Sequence, residues 1–199
     1  MTAEPAAPTR LVLARHGETE WSKSGQHTGR TDIPLTDVGR DQARRLGDAL
    51  AGRTFARVVS SPLVRALETC RIAGFGDRVE IDEELQEWDY GAYEGRRRVD
   101  IALEEPGWTV WSRPIRDGES LVELGDRADR VIAGLLHTPG DVLVFSHGHF
   151  LRVLAARWIE APPLLASRLE LATATISELG WETDRRVVEA WNAAGHLAG

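Results

Sequence analysis

The 199-residue chain has one cysteine, Cys70, and one lysine, Lys23. A lone cysteine excludes an internal disulfide and any multi-cysteine zinc site. With Leu67, Thr69 and Ile72 around it, Cys70 reads as a small buried residue. Positive charge rests almost wholly on arginine, so each arginine has to be judged by position. It is also outweighed: the formal net charge of −7 argues against nucleic-acid binding. An acidic protein can still hold a local cationic pocket for an anionic small molecule. No apolar run approaches the roughly 18 residues of a transmembrane helix, and residues 1–9 show neither the basic nor the apolar part of a signal peptide. These absences leave a cytoplasmic enzyme or binding protein, with 1–199 as one domain and 1–9 as a loose leader.

What is present is an apolar run ending in a cation and an imidazole: Leu11-Val-Leu-Ala-Arg15-His16-Gly17. The pattern recurs once, in Val142-Leu-Val-Phe-Ser146-His147-Gly148-His149. Both runs read as strands, over 10–15 and 141–146, and ligands of open α/β sheets bind beyond the carboxyl ends of strands. Two such ends in one short chain suggest one site. Further strands are expected over 56–60, 79–81, 174–179 and 186–190, the last near an edge. Helices are expected from Thr36, a plausible N-cap, to Gly52, and from a Ser61 cap with proline after it to about residue 73. Two more are expected from a Ser120/Glu123 capping box to about residue 137, and over 150–159. Alternating strands and helices imply a three-layer α/β/α fold with a mainly parallel central sheet. Residues 17–34 form a long polar loop without helical period. Residues 82–118 are irregular, aromatic and too long for a connection, so they read as a cap of inserted loops walling a site.

His16 after Arg15 fits a nucleophile toward phosphorus with a charge-compensating cation; a lone histidine there would more simply be structural. Arg65, in the first turn of the helix after Ser61, adds a guanidinium to a helix N-terminus, although exposed helix arginines are common. Glu87, between apolar Leu85 and the Trp88 and Tyr90 rings, could have a raised pKa and serve as general acid, against the simpler reading of a solvated loop glutamate. His147 and His149 lack a third ligand at recognisable spacing, so a metal site is not expected. A phosphate-contacting His147 beside the Gly148 amide fits better, with His149 pointing elsewhere. Arg96, Arg97 and Arg98 read as a solvated turn that could also attract an anion.

With these residues in view, the chain resembles the histidine phosphatase superfamily, also called phosphoglycerate mutase-like, over most of residues 10–180. Arg15-His16-Gly17-Glu18-Thr19, Thr28-Gly29 with Leu35-Thr36-Asp37-Val38-Gly39, Ser60 to Thr69, Leu85-Gln86-Glu87 and Ser146-His147-Gly148 match its blocks in order. The resemblance implies that His16 becomes phosphohistidine, that Arg15, Arg65 and His147 surround the phosphoryl group, and that Glu87 is the acid/base. Ser22, His27, Thr28, Gly29, Tyr90 and Gly148 would then be substrate-binding positions. No metal or cofactor is implied. The expected partner is a small phosphomonoester, with a homodimer left open and neither nucleic acid nor membrane. Where the mutases carry Arg-His-Tyr-Gly after the glutamate, this chain has Trp88-Asp89-Tyr90-Gly91. That difference, and the run from Glu20 to Gly29, look like the branch with bacterial acid phosphatases and fungal sedoheptulose bisphosphatase. The reading is a phosphatase. A cofactor-dependent mutase is the alternative, with Arg96, Arg97, Arg113 and Arg116 as its candidate extra clamps, and a non-catalytic phospholigand-binding module is the third.

Overall fold

A computed structural model describes residues 8–198. The elements in chain order are β1 (Arg10–Arg15), α1 (Glu20–Ser24), α2 (Asp37–Leu50), β2 (Arg57–Ser60), α3 (Val64–Ile72), β3 (Val79–Ile81), α4 (Arg98–Glu104), α5 (Leu121–Leu135), β4 (Asp141–Ser146), α6 (Gly148–Trp158), β5 (Ile176–Glu182) and β6 (Arg185–Ala193), with short 3-10 turns between them. The strands form one sheet in the order β3-β2-β4-β1-β5-β6. β3, β2, β4 and β1 run parallel, and β5 and β6 add an antiparallel pair. β1 and β4, in the middle of the sheet, read as apolar runs because both faces are covered, whereas the edge strand β3 (Val79-Glu80-Ile81) is largely exposed.

Side-chain alternation along each strand divides the core. Leu11, Leu13, Val142 and Val144 face α5 and α6. Val12, Ala14, Leu143 and Phe145 face α2 and α3, with Cys70 buried on that side as its neighbours suggested. Burial pushes the Cys70 thiol up to about 12, so it stays protonated. The chain leaves β1 toward α2 and leaves β4 toward α6, on opposite faces, which makes the β1–β4 boundary a switch point of the kind where ligands bind. Arg15 pairs with Ser146 in register, so His16 and His147 emerge side by side there.

Local signals place most helices. Thr36 caps α2 by accepting from the Gly39 amide at 3.0 Å, a contact worth about 1 kcal/mol. Ser120 and Glu123 form the expected capping box of α5. Four expectations need correction. Residues 1–7 of the leader lie outside the described residues, but Thr9 is buried and its hydroxyl donates to Leu136 O at 2.8 Å. The polar loop after Gly17 contains α1, a helix too short to show a period, held by a Thr19–Ser22 capping box. α3 starts at Val64 and not after Ser61, because the Val64 amide is capped by Asp32 Oδ1 at 2.7 Å and Ser61 Oγ lies 2.8 Å from His147 Nε2. Finally, 82–118 contains α4 and buries Trp88, Tyr90, Tyr93, Ile101 and Trp108 in the same core as α5 and α6. No described helix is long and apolar enough to cross a membrane.

Candidate active site

A cavity of about 200 Å³ opens at the β1–β4 boundary. The sequence-predicted Arg15, His16, Ser22, His27, Thr28, Glu87, Tyr90 and Gly148 line it. His16 is buried and its Nδ1 lies 2.7 Å from the Gly17 carbonyl, an atom that can only accept. Nδ1 therefore carries the ring proton. Burial first, then the Arg65 and Arg15 charges, hold the ring well below the usual imidazole range. The ring is neutral at ordinary pH, with the Nε2 lone pair unprotonated. Gly17 is needed for this placement: a Cβ there would meet the Gly39 carbonyl oxygen at 2.3 Å.

Arg15 donates from one terminal nitrogen to Leu171 O at 2.5 Å, while its buried Nε has no hydrogen-bond partner. An unsatisfied buried cationic donor suits an anionic acceptor. Its guanidinium lies close to Gly148, where an added Cβ would sit 3.3 Å from Cζ.

Arg65, Gly29 and His147 stand behind the cavity wall. Arg65 is fully buried and donates to the carbonyls of Thr28 (3.1 Å), Gly29 (2.8 Å) and Thr31 (3.0 Å), and from Nε to His147 Nδ1 (3.1 Å). Because Arg65 Nε can only donate, His147 Nδ1 accepts and its Nε2–H donates to Ser61 Oγ. Burial, with Arg65 next, holds His147 well below the ordinary imidazole range. Its ring centroid is 5.2 Å from that of His16.

Glu87 is buried, but not in an apolar nest. Its carboxylate accepts from the amides of Trp88 (2.9 Å), Phe150 (2.8 Å) and His149 (3.0 Å), the last two at the N-terminus of α6. The N-terminal amides of α6 are thus occupied by the Glu87 carboxylate. Ser22 Oγ is engaged in the α1 cap. Tyr90, kept protonated by burial, places its hydroxyl 2.5 Å from His149 Nδ1.

Five lining residues, Gly25, Gln26, Leu171, His149 and Arg152, went unrecognised as site residues in the sequence. His149 lines the cavity, against the expectation that it points elsewhere. Arg152 also lines it, stacked over Trp111 with Cζ 4.8 Å from the ring centroid and Nε donating to Ala166 O at 3.0 Å. The signal for Arg152 was its spacing of four from Gly148, which puts both on one helical face. Trp88 turns into the core and donates to Glu119 O at 2.7 Å. Arg96 pairs with Glu104, Arg97 with Asp100, Arg113 reaches Pro106 O and Arg116 covers Tyr93. None of these four lines the cavity. Among the described residues no cluster of His, Cys, Asp and Glu has the makings of a metal site.

Residues 11–194 match the model of the histidine phosphatase superfamily (branch 1). The chain is 41% identical to an acid phosphatase of Mycobacterium tuberculosis over 191 residues, 94% of each protein. It is 36% identical to sedoheptulose 1,7-bisphosphatase of Saccharomyces cerevisiae over 187 residues, 77% of this chain and 69% of that protein. Among solved structures, mycobacterial glucosyl-3-phosphoglycerate phosphatase superposes with a TM-score of 0.84 at 28% identity, covering 92% of this chain and 98% of that one. A neutral histidine and an arginine at one strand end, faced by a buried glutamate, thus accompany similarity along nearly the whole chain: the protein belongs to branch 1 of the histidine phosphatase superfamily.

Proposed function

We propose that the chain is a cytoplasmic, metal-independent phosphomonoesterase that hydrolyses small phosphorylated metabolites, sugar phosphates among them, through phosphohistidine at His16. The observation that carries this reading is the His16 tautomer: Nδ1–H is tied to Gly17 O, leaving Nε2 as the nucleophilic lone pair. In the first step Nε2 attacks phosphorus and the P–O bond to the alcohol breaks. Glu87 gives its proton to the departing oxygen. The phosphorylated ring keeps Nδ1–H on the Gly17 carbonyl. Water then attacks phosphorus, Glu87 takes its proton, and the P–N bond breaks to return neutral His16. Arg15 and Arg65 offset the phosphoryl charge, and His147, held by Arg65, supports the same group. Ser22, His27, Thr28, Tyr90 and Gly148 would contact the substrate, while Gly29 acts through its carbonyl on Arg65.

Hydrolysis is favoured over mutase chemistry because the residue after Glu87 is a core tryptophan, and Arg96, Arg97, Arg113 and Arg116 do not line the cavity. The relatives named acid phosphatase and sugar bisphosphatase support the same choice. The single buried Cys70 is compatible with a reducing compartment. The test is phosphate release from an aryl phosphate and from sugar phosphates with a chelator present, beside a phosphoglycerate mutase assay primed with bisphosphoglycerate. Release should persist with chelator and vanish in His16→Ala. Strong phosphoglycerate interconversion with little phosphate release would overturn the assignment.

A further inference from the structure

Glu87 projects from an irregular segment, and an irregular segment does not by itself hold a proton-transfer group to within an ångström. The Glu87 carboxylate rests on the amides of α6, and the backbone that carries it is held from α5. Arg127 is buried and uses all five of its N–H donors. Two grip the Glu119 carboxylate in a fork, Nε to Oε1 at 2.8 Å and a terminal nitrogen to Oε2 at 2.7 Å. The other three end on the carbonyls of Glu84 (2.6 Å), Gln86 (2.7 Å) and Glu87 itself (3.3 Å). The remaining carbonyl of the run, Leu85 O, accepts from Ser146 Oγ at 2.6 Å. The guanidinium also lies 4.6 Å over the Phe150 ring, whose own amide donates to the Glu87 carboxylate. Glu119 is fixed in turn, with its amide on Asp89 O at 3.1 Å and its carbonyl on Trp88 Nε1.

We infer that Arg127, oriented by Glu119, is the positioning residue that sets Glu87 for proton transfer. The inference rests on the acid/base role proposed for Glu87. A purely structural arginine could be spared by any packing that kept the fold. A positioning arginine has a chemical signature, because a proton on the departing oxygen matters for a poor leaving group and hardly at all for a good one.

The experiment compares kcat/KM, which reports formation of phosphohistidine, for an alkyl phosphate and for dinitrophenyl phosphate. The variants are Arg127→Lys, which keeps the charge but loses the fork, and Glu119→Gln, which keeps Arg127 and weakens its orientation. Arg127→Lys should lose about 100-fold on the alkyl ester, the cost of a misplaced catalytic group, and less than about threefold on dinitrophenyl phosphate. Inhibition by inorganic phosphate should stay near the wild-type value, since Arg15 and Arg65 are untouched. Glu119→Gln should show the same discrimination at smaller amplitude, and it decides the matter if Arg127→Lys does not fold. Equal losses on both esters, or no loss on either, would overturn the inference. Glu87→Gln is the control: if it fails to discriminate between the esters, the acid role of Glu87 is at fault. If it discriminates and the Arg127 and Glu119 variants do not, the positioning role is at fault.

Discussion

β1 and β4 lie side by side and are each followed by the same two residues, histidine and glycine, yet the two histidines are wired in opposite ways. His16 spends its proton on the carbonyl of its own neighbour, Gly17, and keeps Nε2 for the cavity. His147 has both nitrogens committed, Nδ1 to Arg65 and Nε2 to Ser61. One therefore keeps a free lone pair on the cavity side, and the other braces the arginine behind it. The difference lies in partners contributed by α3 and the loop before it, and not in the motif. A hydrogen bond at one ring nitrogen decides what the other can do.

Removing each histidine in turn should break the symmetry most sharply. His16→Ala should lower kcat by about 10⁴-fold or more, as loss of a nucleophile does. His147→Asn should lower it by about 10²-fold, the scale of a misplaced catalytic group once the arginine it braces is loosened, while still forming phosphohistidine detectable by acid-labile labelling. Equal losses in the two variants would erase the distinction. The glycines should differ as well. Gly148→Ala would press a methyl group against the Arg15 guanidinium and should raise KM for phosphomonoesters about tenfold with kcat less affected. An unchanged KM would mean that Arg15 is not seated by Gly148.

Arg152 offers a smaller test on the α6 side of the cavity. With no carboxylate partner among the described ion pairs, Arg152→Gln should raise KM by a few-fold, about 1 kcal/mol for a half-buried cation, and more for substrates with a second anionic group. Acid stability gives the mildest effect. His16, His147 and His149 are held neutral by burial, all well below the ordinary imidazole value. A folded pKa below the unfolded one means the unfolded chain binds more protons, so stability is full above about pH 6.5 and falls as pH drops below it. Urea midpoints should decrease between about pH 6.5 and pH 5, and His149→Phe should flatten that slope; a slope unchanged in the variant would remove His149 from the account.

β1 and β4 were legible because their side chains are buried on both faces and leave long apolar runs, and α5 because its capping box is local. α1 and the start of α3 were not. The first is too short for periodicity, and the second is set by Asp32, a residue 32 positions from the amide it caps. Among site residues, Arg15 and His16 stood out as a contiguous motif. Arg127 and Arg152 look like ordinary helix arginines until the chain folds, since their partners lie on other segments.

By itself the sequence determined the layered α/β architecture, the family, and the residues brought to the strand ends, because each is written in short contiguous patterns of burial and motif. Only the tertiary structure decided which histidine keeps a free nitrogen, which arginines face the cavity, and that Glu87 rests on the amides of α6 and is steadied from α5. Those outcomes depend on hydrogen bonds between residues far apart in the chain, and a hydrogen bond exists only once both partners have been placed.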